Sequence, residues 1–150
     1  METRIMADEQ RKAIALEYLR RLDRNEPFLD LFDDNAEVYF PKWGVARGRA
    51  EIGKLFGDLS SMISRIQHHS AYFNIIQRED LVVVEGTTHG TTATGVDWRA
   101  GVTHAGRWCD VFEIRDFKIQ RCYVYLDPDY AGADTQRYPW LCGESALKAS

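Results

Sequence analysis

The chain has 150 residues, with 19 Lys and Arg against 23 Asp and Glu for a formal net charge of −4. That length suits one domain spanning 1–150, and 45% hydrophobic with 28% charged residues is the composition of a folded globule. The mild acidity gives no footprint for nucleic acid or an anionic bilayer, and no apolar run approaches the roughly 20 residues of a spanning helix.

From Ala7 to Leu22, apolar residues recur at helical spacing, at Ala7, Ile14, Ala15, Tyr18, Leu19 and Leu22. Pro27 suits a first helical position, so a short second helix is expected over Phe28, Leu29 and Phe32. Ala36 to Phe40 reads as a strand stopped by Pro41. A third helix carries Ile52, Leu55, Phe56 and Leu59, with Met62 or Ile63. Strands are then expected over about Ile66–Gln77, Leu81–Thr94, Val102–Arg115 and Lys118–Leu126, with a polar tail over 128–150. Gly86 and Gly90 mark places for the sheet to bend or bulge.

Three helices followed by antiparallel strands is an α+β pattern, with helices on one face of a curved sheet. Such a sheet encloses a cone, and four Trp, seven Tyr and seven Phe, 12% of the chain, are suitable lining for it. Cys109, Cys122 and Cys142 are odd in number and lack C-x-x-C spacing. With no secretory h-region at the N-terminus, free thiols in the cytoplasm are expected. No histidine pattern suits a metal, since His68 and His69 are adjacent on a strand and face opposite ways. No glycine-rich nucleotide loop is present, so no cofactor is expected.

Tyr18 on the first helix, Leu31-Phe32-Asp33-Asp34-Asn35-Ala36-Glu37-Val38, Gly48 with Ile52, and Asp110-Val111-Phe112-Glu113-Ile114 with Tyr125-Leu126-Asp127 resemble the NTF2-like superfamily. The similarity covers about residues 8–127 and is strongest to its SnoaL-like branch of polyketide cyclases. It implies a cone-shaped, cystatin-like fold of three N-terminal helices on a strongly curved antiparallel sheet, with homodimers through the outer sheet face. Tyr123 and Tyr125 are expected there.

In the ketosteroid isomerases of that superfamily, a tyrosine and a protonated aspartic acid stabilise an oxyanion while another acid moves the proton. The resemblance places the first two on Tyr18 and Asp110. It also shows departures: the base position falls on Phe40, the last-strand acid of the cyclases on Val124, and the Arg-x-Asp of limonene-type epoxide hydrolases on Gly86-Thr87-Thr88. Histidine is the natural replacement base. If Asp110 points inward, alternation puts Val84, Gly86 and Thr88 inward, and His69 inward with Phe73, leaving His68 and His89 outward. Tyr18, Tyr39, His69 and His89 also resemble the set of the scytalone-dehydratase-like members.

The expected site is thus Tyr18, Asp110 and His69, lined by Phe40, Trp43, Phe73, Val84, Thr88, Trp108, Phe112 and Val124. Trp98 reads as a loop residue, a lid or a dimer contact. The expected function is binding of a small apolar or aromatic ligand, with isomerase, cyclase or dehydratase chemistry on a cyclic carbonyl compound. The alternative is a non-catalytic binding or dimeric scaffold protein.

Overall fold

Helix α1 (Asp8–Asp23) forms where the apolar stripe predicts it, with Asp8 and Glu9 in the first turn and Arg20 and Arg21 in the last, as the helix dipole favours. The Ala7 amide, otherwise an orphan at the start, donates to Gln10 Oε1 at 2.8 Å. The structure, a computed structural model, describes residues 5–141; Cys142 lies outside the described residues.

The segment after Pro27 makes only a three-residue turn, Leu29–Leu31, and β1 (Phe32–Phe40) begins at once. Among the described residues there are two α-helices, not three. Packing overrides the local helix signal: Phe28 and Phe32 both meet the Tyr18 ring edge-on at 5.7 Å, and Phe32 can then pair with β8. A bulge between Phe32 and Glu37 absorbs the polar Asp33-Asp34-Asn35 run. β2 (Gly44–Arg47) returns antiparallel to β1, and α2 (Gly48–Met62) follows, its entry fixed by Glu51 accepting from the Arg47 amide at 2.7 Å. Ile52 and Leu55 bury its inner stripe.

The remaining strands are β3 (Ile63–His68), β4 (Asn74–Arg78), β5 (Leu81–Thr92), β6 (Asp97–Arg99), β7 (Arg107–Arg115) and β8 (Lys118–Leu126). The sheet order is β2-β1-β8-β7-β5-β3, with β4 and β6 also on β5. It is mixed rather than antiparallel, because β1 and β8 run parallel. The chain between them supplies the long crossover such a pairing needs.

Two further expectations change. The run expected as one strand over Ile66–Gln77 is broken by a turn at Ser70–Tyr72. Trp98 lies in a strand, β6, with 2% of its surface exposed, and belongs to neither a lid nor a surface contact.

β5 changes partners along its length. Residues 81–87 pair with β7, and residues 88–92 pair with β3 and β6. Its glycines serve close approach. A Cβ on Gly90 would lie 2.2 Å from the Arg65 carbonyl oxygen and 2.4 Å from the Trp98 ring, and one on Gly86 would meet Phe73 and Trp108 at 2.9 Å. Alternation survives this bend, so Val82, Val84, Thr88 and Thr92 all bury one face. On β7 that face presents Trp108, Asp110, Phe112 and Ile114, and on β8 Cys122 and Val124. Both helices pack on this concave side.

Candidate functional site

A cavity of about 440 Å³ opens between the C-terminal end of α1, the loop after it, α2, β3 and the concave face of β7 and β8. Its apolar lining is Leu22, Phe28, Phe56 and Leu59 from the helix side and Phe40, Ile66, Trp108, Val124 and Leu126 from the sheet, and polar residues such as Asn25, Ser60, Ser64 and Arg65 line it as well. Its mouth is framed by a fixed charge cluster. Glu17 accepts from Arg20 and Arg21, and these bonds hold its carboxyl down at about 2. Arg21, which reaches the cavity, is held further by Asp30 at 2.8 Å.

Of the six ionisable residues in its lining, with Arg21, Asp23, Glu26 and Arg65 among them, two bear most directly on proton transfer. The first is Asp110. It is buried, and its carboxyl has no hydrogen-bond partner among the described residues; burial pushes it up to about 8. At neutral pH it is therefore a carboxylic acid, able to donate a proton or a hydrogen bond. The second is His68. Its Nδ1 lies 2.5 Å from Asp23 Oδ1, and Asp23 also accepts from the His68 amide at 3.1 Å and from Gln67 Nε2 at 3.1 Å. With Asp23 acting as acceptor, Nδ1 carries a ring proton, and in the neutral ring it is Nε2 that holds the lone pair. The ring is steadied edge-on against Trp108 at 5.0 Å, and Trp108 stands two residues from Asp110 on the same face of β7. A carboxylate-oriented imidazole and a neutral acid thus share one apolar chamber, a pairing that can take a proton at one point and give one at another.

Of the residues expected here, Asp110, Phe40, Trp108 and Val124 line the cavity. His69 does not. The turn at Ser70–Tyr72 shifts the alternation by one, so counting back from Phe73 selects the wrong histidine. His68 pairs in register with inward Thr88, while His69 turns to the outer side, with Nδ1 2.7 Å from Thr87 Oγ1 and Nε2 2.7 Å from His89 Nδ1. Tyr18 is buried behind the wall formed by Phe28 and Phe56 and does not line the cavity.

The other expected lining residues lie elsewhere. Phe112 packs on Tyr18 at 5.6 Å, Val84 is in the core, and Phe73 backs Trp108 at 5.3 Å. Trp43 donates to Asp58 at 2.8 Å on the outer side of α2, and Thr88 accepts from Trp98 Nε1 at 3.1 Å. Asp23 was not anticipated. A signal was present, since an acid among Arg20, Arg21 and Arg24 at a helix C-terminus opposes the dipole and needs another reason to be there.

The family model of the SnoaL-like domain matches residues 16–122. The chain belongs to the SnoaL-like family. No curated protein matches the sequence. Solved structures agree on the fold. An NTF2-like protein from Burkholderia xenovorans LB400 is 18% identical with a TM-score of 0.67, over 85% of this chain and 97% of its own. A Pseudomonas putida KT2440 protein provisionally described as a polyketide cyclase is 16% identical with a TM-score of 0.67, over 80% and 93%. TerC, crystallised with polyporic acid, is 18% identical with a TM-score of 0.65, over 79% and 92%. At these identities the likeness of this SnoaL-like chain to them is one of fold.

Proposed function

We propose that this SnoaL-like protein binds a small, largely apolar cyclic carbonyl compound and catalyses a proton transfer on it. His68 Nε2 removes a proton from carbon beside the carbonyl, with Asp23 orienting the ring and stabilising the imidazolium. Asp110 donates to the carbonyl oxygen as negative charge develops there. Isomerisation, aldol cyclisation and dehydration all begin with this step. The observation that carries the reading is the Asp23–His68 pair opening onto the same apolar cavity as unpartnered Asp110. The co-crystallisation of TerC with polyporic acid supports a small-molecule ligand.

The test is binding of a phenolate, an oxyanion mimic, followed by its absorbance shift. Asp110→Asn is expected to weaken binding by about 1–3 kcal/mol, the worth of a hydrogen bond to a charged group. Tyr18→Phe is expected to leave it unchanged, because Tyr18 does not line the cavity. Undiminished affinity in Asp110→Asn overturns the oxyanion role.

A second reading, a non-catalytic binding protein, draws support from Phe40 and Val124, which put apolar wall where related enzymes keep acids.

We extend the proposal to a homodimer through the outer sheet face. Supporting it are the Tyr39, Tyr123 and Tyr125 rings, set 5.8 and 5.7 Å apart, with Tyr125 half exposed. A cytoplasmic setting is supported by Cys109 and Cys122, which face opposite sides of the sheet and are both free thiols. Among the described residues, no helix is long and apolar enough to cross a membrane.

A further inference from the structure

A smaller cavity of about 20 Å³ adjoins the main one. His68, Trp108 and Leu126 contribute to both. The rest of its lining is polar: Thr88, Gly106, Arg107, Asp127 and Tyr130. That volume suits one water molecule, which needs two to four polar partners.

The partners are available. The Gly106 carbonyl is already engaged, accepting from the Thr88 amide at 2.7 Å and from the Thr88 hydroxyl at 3.4 Å, so the partners come from the side chains around it. Asp127 uses Oδ1 for the Asp129 amide at 2.9 Å, which leaves Oδ2. Tyr130 is buried, its ring against Trp98 at 4.5 Å, yet its hydroxyl has no hydrogen bond among the described residues. His68 Nε2 likewise has none. Buried hydroxyls and ring nitrogens are nearly always satisfied. Trp108, which lines the same space, has a buried indole Nε1 with no hydrogen-bond partner among the described residues, and an orphaned donor beside a water-sized polar space has a ready explanation.

We propose that this small cavity is a water site, and that its water passes protons between His68 Nε2 and the surface carboxylate of Asp127. The relay rests on the catalytic reading of His68; the water site itself does not. When an apolar ligand fills the main cavity, the path from His68 through the mouth is blocked. An imidazolium formed by taking a substrate proton gives its Nε2 proton to the water. The water releases one of its own protons to Asp127, which is exposed and exchanges with bulk. Bonds balance, and the water is regenerated. Tyr130 holds the water and is too weak an acid to compete, since burial raises its phenol well above the usual range.

Two measurements test this on the intact protein. A high-resolution crystal structure is expected to show ordered water within hydrogen-bond distance of His68 Nε2 and of Tyr130 or Asp127, and to lose it in Tyr130→Phe. A dry cavity in the wild type overturns the site. In ¹⁵N-histidine spectra, proton exchange of the His68 ring with solvent, recorded with the phenolate bound, is expected to slow several-fold in Asp127→Asn. Unchanged exchange overturns the relay while leaving the water. Neither outcome depends on how Asp110→Asn affects phenolate affinity, so failure here is distinct from failure of the proposed function.

Discussion

His68 and His69 are consecutive residues with opposite fates, one on each face of the sheet. His69 has both ring nitrogens engaged, by Thr87 and by a stacked His89 whose ring lies 4.9 Å away. His68 has one nitrogen engaged by Asp23 and the other left over, in the lining of an apolar chamber. The outer pair is complete in itself and holds the chain in place. The inner pair is incomplete, and its missing partner is a ligand or water. Reactivity here follows from what a side chain lacks, more than from what kind of side chain it is.

The contrast is broken most decisively by turnover. On any carbonyl substrate that the protein transforms, His68→Gln is expected to lower kcat by about 10²–10⁴-fold, while His69→Gln stays within about twofold. Equal losses in two folded variants would erase the distinction between the faces.

A smaller effect separates the faces by the sign of their pH dependence. Asp110 holds its proton far more tightly folded than unfolded, so its contribution to stability is full below about pH 4 and is lost as pH rises through about 8. On the outer face, burial and the nearby Arg99 hold His89 below the ordinary imidazole value. Its contribution is present above the unfolded value and is lost as pH falls. Thermal melts across pH are expected to show Asp110→Asn flattening the alkaline fall and His89→Asn flattening the acid one. The reverse assignment would sink both.

The smallest effect concerns the outer face alone. Tyr125→Lys is expected to weaken self-association about tenfold in sedimentation equilibrium, as loss of one aromatic anchor does. A monomeric wild type would remove the dimer altogether.

Some of this was legible in the residues. Strand β8 has the predicted bounds, Lys118–Leu126, because a tight turn opens it and apolar residues mark its buried face at Ile119, Cys122 and Val124, despite a register shift at Gln120-Arg121. The inward side of Asp110 follows from Trp108, Phe112 and Ile114 alternating around it. The histidine assignment failed because alternation is a count, and one three-residue turn at Ser70–Tyr72 reverses it. The second helix failed because Phe28 and Phe32 satisfy helical spacing and edge-on packing on Tyr18 equally well. Asp23 was invisible as a partner because it meets His68 from 45 residues away.

The parallel seam between β1 and β8 carries a kinetic consequence. Val38 pairs with Cys122, a contact that closes a loop of most of the chain, and such distant pairings form late in folding. Phe40 and Val124, which wall the cavity, stand on the two sides of that seam. The chamber is therefore among the last parts of the molecule to be assembled.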